Sequence, residues 1–295
     1  MVSRPARIVL LLCWSTLPIL PSPGAAPRDD PGIGVRLIAP ARRIVTLAPH
    51  LTEIVFAAGA GERLVGIARF SDFPPEARTL PQIGDASRVD LERIQFLRPD
   101  LILAWRSGNQ AGDIARLEKL GHPVFTTEPR RLEDIPRLLR AVGRLAGSAD
   151  AAGRAALAFE AEIAALRERY AGRTPVRVFY EIWHRPLLTV SGEHMISDVI
   201  ALCGGVNVFA GVPVLTPSVS LESVVAARPQ AILGGSSSAT PGQFVAQWRG
   251  HAVAALRSVP AFHIAPDEIQ RATPRILTGA RAICRHLDEV RTKTV

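Results

Sequence analysis

"LERIQFLRPDLILAW", residues 91–105, reads as a short amphipathic helix, a turn at Pro99 and a buried strand that ends on Trp105. The apolar run after the proline is too short for a helix and bounded by a turn, which is the pattern of a covered strand. A second stretch, "LESVVAARPQAILGG" at 221–235, carries the same helix, Arg-Pro turn and strand in the same order. Leu91, Glu92, Arg98, Pro99, Ile102 and Leu103 recur, without a gap, as Leu221, Glu222, Arg228, Pro229, Ile232 and Leu233. Upstream, "RIVTLAPHLTEIVFAAGAGERLVG" (43–66) is a strand, loop, helix and glycine stop, and "VRVFYEIW…MISDVIALCGGVNVFAG" (176–211) repeats that plan with a longer loop. The chain therefore reads as two copies of one α/β unit.

Between the copies, residues 148–172 are rich in Ala, Leu, Glu and Arg and free of proline. Ser148 or Asp150 can cap this helix and Gly172 can end it, with Ala156, Phe159, Ile163, Leu166 and Tyr170 on one face. From 150 to 170 it would run about 30 Å at 1.5 Å per residue, enough to join two lobes as a single strut. The fold class expected is α/β, with two Rossmann-like lobes of mostly parallel strands and one long bridging helix. The divisions are a signal peptide over 1–26, a linker over 27–40, an N-terminal lobe over 41–147, the bridging helix over 148–172 and a C-terminal lobe over 173–295.

The apolar runs are continuous: "RIVTL", "LVGI", "DLILAW" and "PVFTT" in the first lobe, "VRVFYEIW", "LLTV", "AILGG" and "FHIA" in the second. Such runs between helices indicate parallel strands covered on both faces, whose carboxyl ends are where open parallel sheets bind ligands. Those ends carry Pro49 and His50, Phe70 and Phe73, Trp105 and Arg106, and Trp183 and His184. Trp105 and Trp183 at matching strand ends suit a large, flat, mostly apolar ligand, although a lone tryptophan there is as often lobe packing. His50 or His184 could offer a nitrogen to a metal already held by a macrocycle, or could be a hydrogen-bonded spectator. Neither has the further ligands that a bare zinc site needs, so no metal or cofactor of the protein's own is expected.

At 295 residues, with 47% hydrophobic and 21% charged, the composition is globular. The net charge of +8 comes almost wholly from dispersed arginines, which excludes the clustered footprint of nucleic-acid binding. Arg4 and Arg7 precede a charge-free run from Ile8 to Leu20, then helix breakers and small residues up to Ala26. This is a secretory leader, so the mature chain is expected in the periplasm. Cys13 lies inside the apolar run without the small residues that precede a lipidated cysteine, and a lipid anchor is not expected. Cys203 and Cys284 remain, and their spacing leaves a disulfide and two buried thiols equally open. "GSSSA" (235–239) lacks the last glycine of a nucleophile elbow, which makes a secreted α/β hydrolase a remote alternative. Glu53 and Glu92 read as first-turn helix residues favoured by the dipole.

"RIVTLAPHLTE", "SDFPPEA", "LERIQFLRPDLILAWRSGN", "LCGGVNVF" and "RATPRIL" (271–277) together resemble the helical-backbone, class III periplasmic binding proteins of ABC importers. Within that family the likeness is to the cobalamin-binding branch, with ferric-siderophore and haem binders as relatives, and it covers residues 41–290. The resemblance implies that Trp105 lines the corrin cleft, that Phe70 and Phe73 stand at tyrosine positions, and that Cys203 and Cys284 are bridged. It also implies that Asp267 and Arg271 belong to the binding region, with Arg106 and Arg271 bonding the ligand's amides or phosphate. The chain departs from the branch in "GDASRVD" (84–90), which has no tryptophan, and in "APDEIQ", where Glu268 and Ile269 replace aromatics. Trp183 and His50 are the candidates to replace them. The function implied is that of a monomeric, non-enzymatic binder of cobalamin or a related corrinoid that delivers it to an inner-membrane ABC permease. A ferric siderophore or haem is the alternative cargo, since Arg69, Arg106, Arg185 and Arg271 could meet anions.

Overall fold

The computed structural model describes residues 35–235 and 240–293. The leader over 1–26, most of the linker and the serines of "GSSSA" lie outside them. The first lobe holds β1 (Ile44–Thr46), α1 (Pro49–Ala57), β2 (Leu64–Ile67), a small ribbon of β3 (Gly84–Asp85) and β4 (Arg88–Val89), α2 (Leu91–Leu97), β5 (Leu101–Trp105), α3 (Ala111–Lys119), β6 (Val124–Thr127) and α4 (Asp134–Ala146). Helix α5 (Ala149–Tyr170) leads to the second lobe. That lobe holds β7 (Val176–Glu181), α6 (Met195–Leu202), β8 (Gly205–Asn207), α7 (Leu221–Ala227), β9 (Ala231–Gly234), α8 (Pro241–Arg249), α9 (Ala254–Arg257), β10 (Ala261–His263), α10 (Pro266–Ile269) and α11 (Ile276–Lys293). The sheets run β2-β1-β5-β6 and β8-β7-β9-β10, and every pairing in them is parallel.

The duplication extends to individual hydrogen bonds. Asp90 caps α2 by accepting from the Arg93 N–H at 2.9 Å, and Ser220 caps α7 by accepting from the Ser223 N–H at 3.2 Å. Both helices end on an arginine in the left-handed region, Arg98 at φ 44° and Arg228 at φ 47°. The following proline disfavours a further helical turn at each of these residues. An arginine at the start of the first strand of each lobe then reaches the turn: Arg43, just before β1, donates from Nε to the Leu97 carbonyl at 3.0 Å, and Arg177, the second residue of β7, from Nε to the Arg228 carbonyl at 2.8 Å. Asp100 accepts from the Arg43 N–H at 2.9 Å, and Gln230, in the matching place, from the Arg177 N–H at 2.9 Å. "LTEIVFAAG" and "ISDVIALCG" match likewise along α1 and α6, each closing on a glycine of positive φ, Gly59 at 74° and Gly204 at 70°. Glycine suits those stops because a β-carbon is strained there.

Helix α5 has 22 residues, about 33 Å at 1.5 Å each, close to the expected span. Ala156, Phe159, Ile163, Leu166 and Tyr170 are all buried, so the helical period was legible. Ser148 holds the cap position without making a side-chain cap bond. One hydrophobic cluster runs from Leu103 and Phe125 through this helix to Val178 and Tyr180, joining the lobes by a continuous core. At Gly143 in α4 a β-carbon would lie 2.2 Å from that of Ala152, so the close crossing of α4 and α5 depends on glycine. The Cys203–Cys284 disulfide is formed and ties the end of α6 to α11.

One expected strand is absent. "LLTV" (187–190) enters neither four-stranded sheet: the chain reverses over 184–187, Leu188 makes only isolated bridges to Trp183 and Ser218, and the Thr189 N–H donates to the Pro217 carbonyl at 3.0 Å. The outer strand of the second sheet is β8. It begins right after the glycine stop at Gly204, as β2 begins a short way past the stop at Gly59 in the first lobe.

Candidate functional site

The carboxyl ends of both sheets face a cavity of ≈ 610 Å³ between the lobes. Pro49, His50, Trp105, Ser107, Glu128, Pro129 and Arg130 line it from the first lobe. Ile182, His194, Met195, Leu215, Thr216, Ile269, Gln270, Arg271 and Ala272 line it from the second.

Trp105 stands half-buried at the tip of β5. The Asn109 side chain fixes the loop behind it, accepting from the Trp105 N–H at 2.8 Å and donating to the Leu47 carbonyl at 2.8 Å. His50 meets the indole edge to face, with centroids 5.1 Å apart. Gly108 lies against the indole so closely that a β-carbon would sit 1.9 Å from it. Trp105 is thus held at a set angle with only part of its surface open, the condition for a rigid stacking platform.

His50 is the second residue of α1 and is buried. Burial, assisted by the charge of Arg271, lowers its pKa to about 3. Its Nε2 is buried without a hydrogen-bond partner among the described residues, so the ring would have to turn to reach a ligand's metal. His194 opens α6 at the place matching Pro49, accepting at Nδ1 from the Ile196 N–H at 3.1 Å. Burial lowers its pKa to about 4. Both imidazoles are therefore neutral at neutral pH.

Arg271 crosses from the second lobe into carboxylates of the first. Its Nη1 lies 2.8 Å from Glu53 and 2.7 Å from Asp72, and its Nη2 lies 2.7 Å from Asp267. Arg275 also reaches Glu53, at 3.1 Å. Glu53 is the fifth residue of α1, buried and paired with the other lobe, which corrects its reading as a first-turn dipole residue. Burial pushes its carboxyl up, and the two arginines oppose that rise. Partial burial also pushes Asp72 up, but the hydrogen bond and charge of Arg271 outweigh it and leave the group below its usual value.

A reciprocal pair lies elsewhere between the lobes. Arg131 of the first lobe donates to Asp198 at 2.7 Å and to the Gly192 carbonyl at 3.0 Å. Asp198 matches Glu53 along the paired helices, and Arg131 and Arg271 each follow the last strand of their sheet.

The other expected residues stand outside the cavity lining. Phe70 is 67% exposed and Phe73 42% exposed. Their loop is held by Arg271 on the Phe70 carbonyl at 3.3 Å and by Arg275 over the Phe73 ring at 4.2 Å. Trp183 follows β7, the counterpart of β1 and not of β5, so the two tryptophans do not stand at matching strand ends; it is half-exposed and donates to the Arg185 carbonyl at 2.9 Å, turning over its own loop. His184 contacts Gln247 at 2.8 Å and lies 3.4 Å from Glu181, whose other oxygen accepts from Trp248 at 2.7 Å. Arg106 is exposed, and Asp267 backs Arg271. Glu128, Arg130, His194, Met195 and Leu215 line the cavity without having been singled out. Laying "PHLTE" on "HMISD" would have found His194 and Met195 opposite Pro49 and His50; the others carry no local signal.

Two like lobes, a helical strut and an apolar cleft across the strand ends define a protein that takes a ligand between its lobes. The chain belongs to the periplasmic binding protein family, whose model matches residues 44–259, and is accordingly a binding protein and not an enzyme. It is 36% identical over 283 residues to the vitamin B12-binding protein of Pectobacterium carotovorum subsp. carotovorum (strain PC1), covering 95% of this chain and 96% of that protein. The crystal structure of the periplasmic vitamin B12 binding protein BtuF of Vibrio cholerae superimposes with a TM-score of 0.77 at 34% identity, over 85% of this chain and 98% of that one. The apo periplasmic heme-binding protein RhuT from Roseiflexus sp. RS-1 superimposes with a TM-score of 0.73 at 25% identity, over 85% and 99%.

Proposed function

We propose that this chain binds cobalamin or a related corrinoid in the inter-lobe cleft and hands it to the permease of an ABC importer. The observation that carries the reading is the wall set across from Trp105: Ile182, Met195, Leu215 and Ile269 on the second lobe, with a fixed indole on the first. Such a slot buries both faces of a broad, largely apolar ring system, and its volume falls in the ordinary range for ligand sites, about 300–1,000 Å³. The vitamin B12-binding relatives support the same cargo. Phe70, Phe73 and Trp183, exposed on the loops around the strand ends, would extend apolar contact beyond the cavity, with Arg106 nearby for the ligand's polar groups. The leader-like N-terminus supports export to the periplasm, where the chain would act as a monomer.

The test is tryptophan-fluorescence titration of mature protein with cyanocobalamin, haemin and a ferric hydroxamate, checked by calorimetry because all three absorb light. Saturable binding of cyanocobalamin alone is expected. Saturation by an iron ligand alone would keep the transport class and replace the cargo.

A further inference from the structure

We propose that Asp72, Asp267 and Glu53 are specificity-determining residues: by neutralising Arg271 they bar anionic macrocycles from the cleft. The proposal rests on the reading that the cleft takes a large ring ligand, and it adds which rings are refused.

Arg130 and Arg271 are the cations among the described lining residues. Arg130 lies 3.5 Å from Glu128, whose carboxylate is fixed by the Ser107 N–H at 2.9 Å. Arg271 is more completely taken up. Its side chain is 14% exposed, and three carboxylates and the Phe70 carbonyl occupy both of its terminal nitrogens. Counting Arg275 with them, the cluster holds two cations and three anions. Its net charge is negative, or zero when Glu53 takes the proton that its burial favours. The two cleft histidines are neutral. Within the described lining an incoming carboxylate therefore finds no uncompensated cation, Arg106 and Arg185 being exposed outside it, and to reach Arg271 it must displace a resident carboxylate or lie beside one.

That is a penalty against one class of ligand and not another. A ring carrying propionates brings charges that need Arg or Lys to replace their hydration. A ring carrying carboxamides brings N–H donors, which the outer oxygens of Asp72 and Asp267, 43% and 45% exposed, can accept. The same apolar slot would otherwise stack either ring.

The test uses the full mature chain with Asp72→Asn and Asp267→Asn, singly and together. Both carboxylates are part-exposed, so their amides keep shape without burying a new charge, and far-UV circular dichroism and melting temperature check the fold. Each protein is titrated with haemin, with its neutral dimethyl ester and with cyanocobalamin. The expected result is a gain in haemin affinity of about tenfold or more in the double variant, shrinking at higher salt, with the ester moved by less than about twofold. Unchanged haemin affinity, an equal gain for haemin and ester, or tight haemin binding by the unaltered protein each overturns the proposal. Failure of the corrinoid reading shows separately, as absence of cyanocobalamin binding by the unaltered protein, and leaves the porphyrin comparison intact.

Discussion

At the residue scale the informative side chains are the ones whose surroundings leave them no freedom. Trp105 is pinned by His50, Gly108 and Asn109, so truncating it removes a preset platform rather than a mobile ring. Trp105→Ala is expected to weaken ligand binding by roughly tenfold or more while lowering the melting temperature little, because the ring is only half-buried. Equal losses in titration and thermal melting would make it a packing residue. His50 gives a pH signature. Its folded pKa lies below its unfolded value, so between about pH 6.5 and 3 the unfolded chain binds a proton that the fold refuses. Stability should fall as pH drops through that window, by up to about 1.4 kcal/mol per pH unit for one full proton. Urea unfolding from pH 6.5 to 4.5 should show a shallower decline in His50→Gln; identical slopes would mean that the native imidazole titrates normally. The sequence made Trp105 and His50 legible because each ends or follows a strand. Glu128 and Arg130 were hidden, since a charged pair on a loop looks like any solvated surface until the opposite lobe is in place.

Elements were the most readable level. Strand, turn and helix follow from local rules that both copies obey: a capped start, an arginine before a proline, an apolar run. Helix α5 was legible because a 22-residue period-3.6 face leaves little choice. "LLTV" was misassigned because a short apolar run reports burial, not pairing: Leu188 bonds back across its own turn to Ile182 and Trp183, and Leu187 and Thr189 bond to Val219 and Pro217 in a later loop. The pairing of Cys203 with Cys284 came from family likeness alone; sequence spacing does not say that the end of α6 meets α11. That bridge closes a separation of 81 residues, and its loss should cost about 2–5 kcal/mol. Thiol titration of exported protein should count zero, and the double serine variant should melt lower; two free thiols or an unchanged melt would rule the bridge out as a stabilising tie.

For the whole molecule, the sequence repeat gave two lobes but not their meeting. Glu53, Asp198, Arg131 and Arg271 lie far apart in the chain, and their reciprocal pairing exists only once one copy is turned against the other. Charge pairs of this kind offer little as isolated surface contacts, but Glu53 is almost fully buried, where removing one partner is far more costly than the pair is worth. The lobes are therefore held by shared core, strut and crossed arginines together.

The crossed arginines also mark an approximate two-fold axis through the cleft. Matching positions on its two walls carry unlike side chains, Pro49 against His194 and His50 against Met195, while the position that matches Trp105, Gly235, lies outside the lining. A perfect two-fold slot would accept a flat guest equally well flipped end for end. This one breaks that degeneracy at two paired positions and at an indole without a counterpart, so a flat guest would have a single head and tail within the frame.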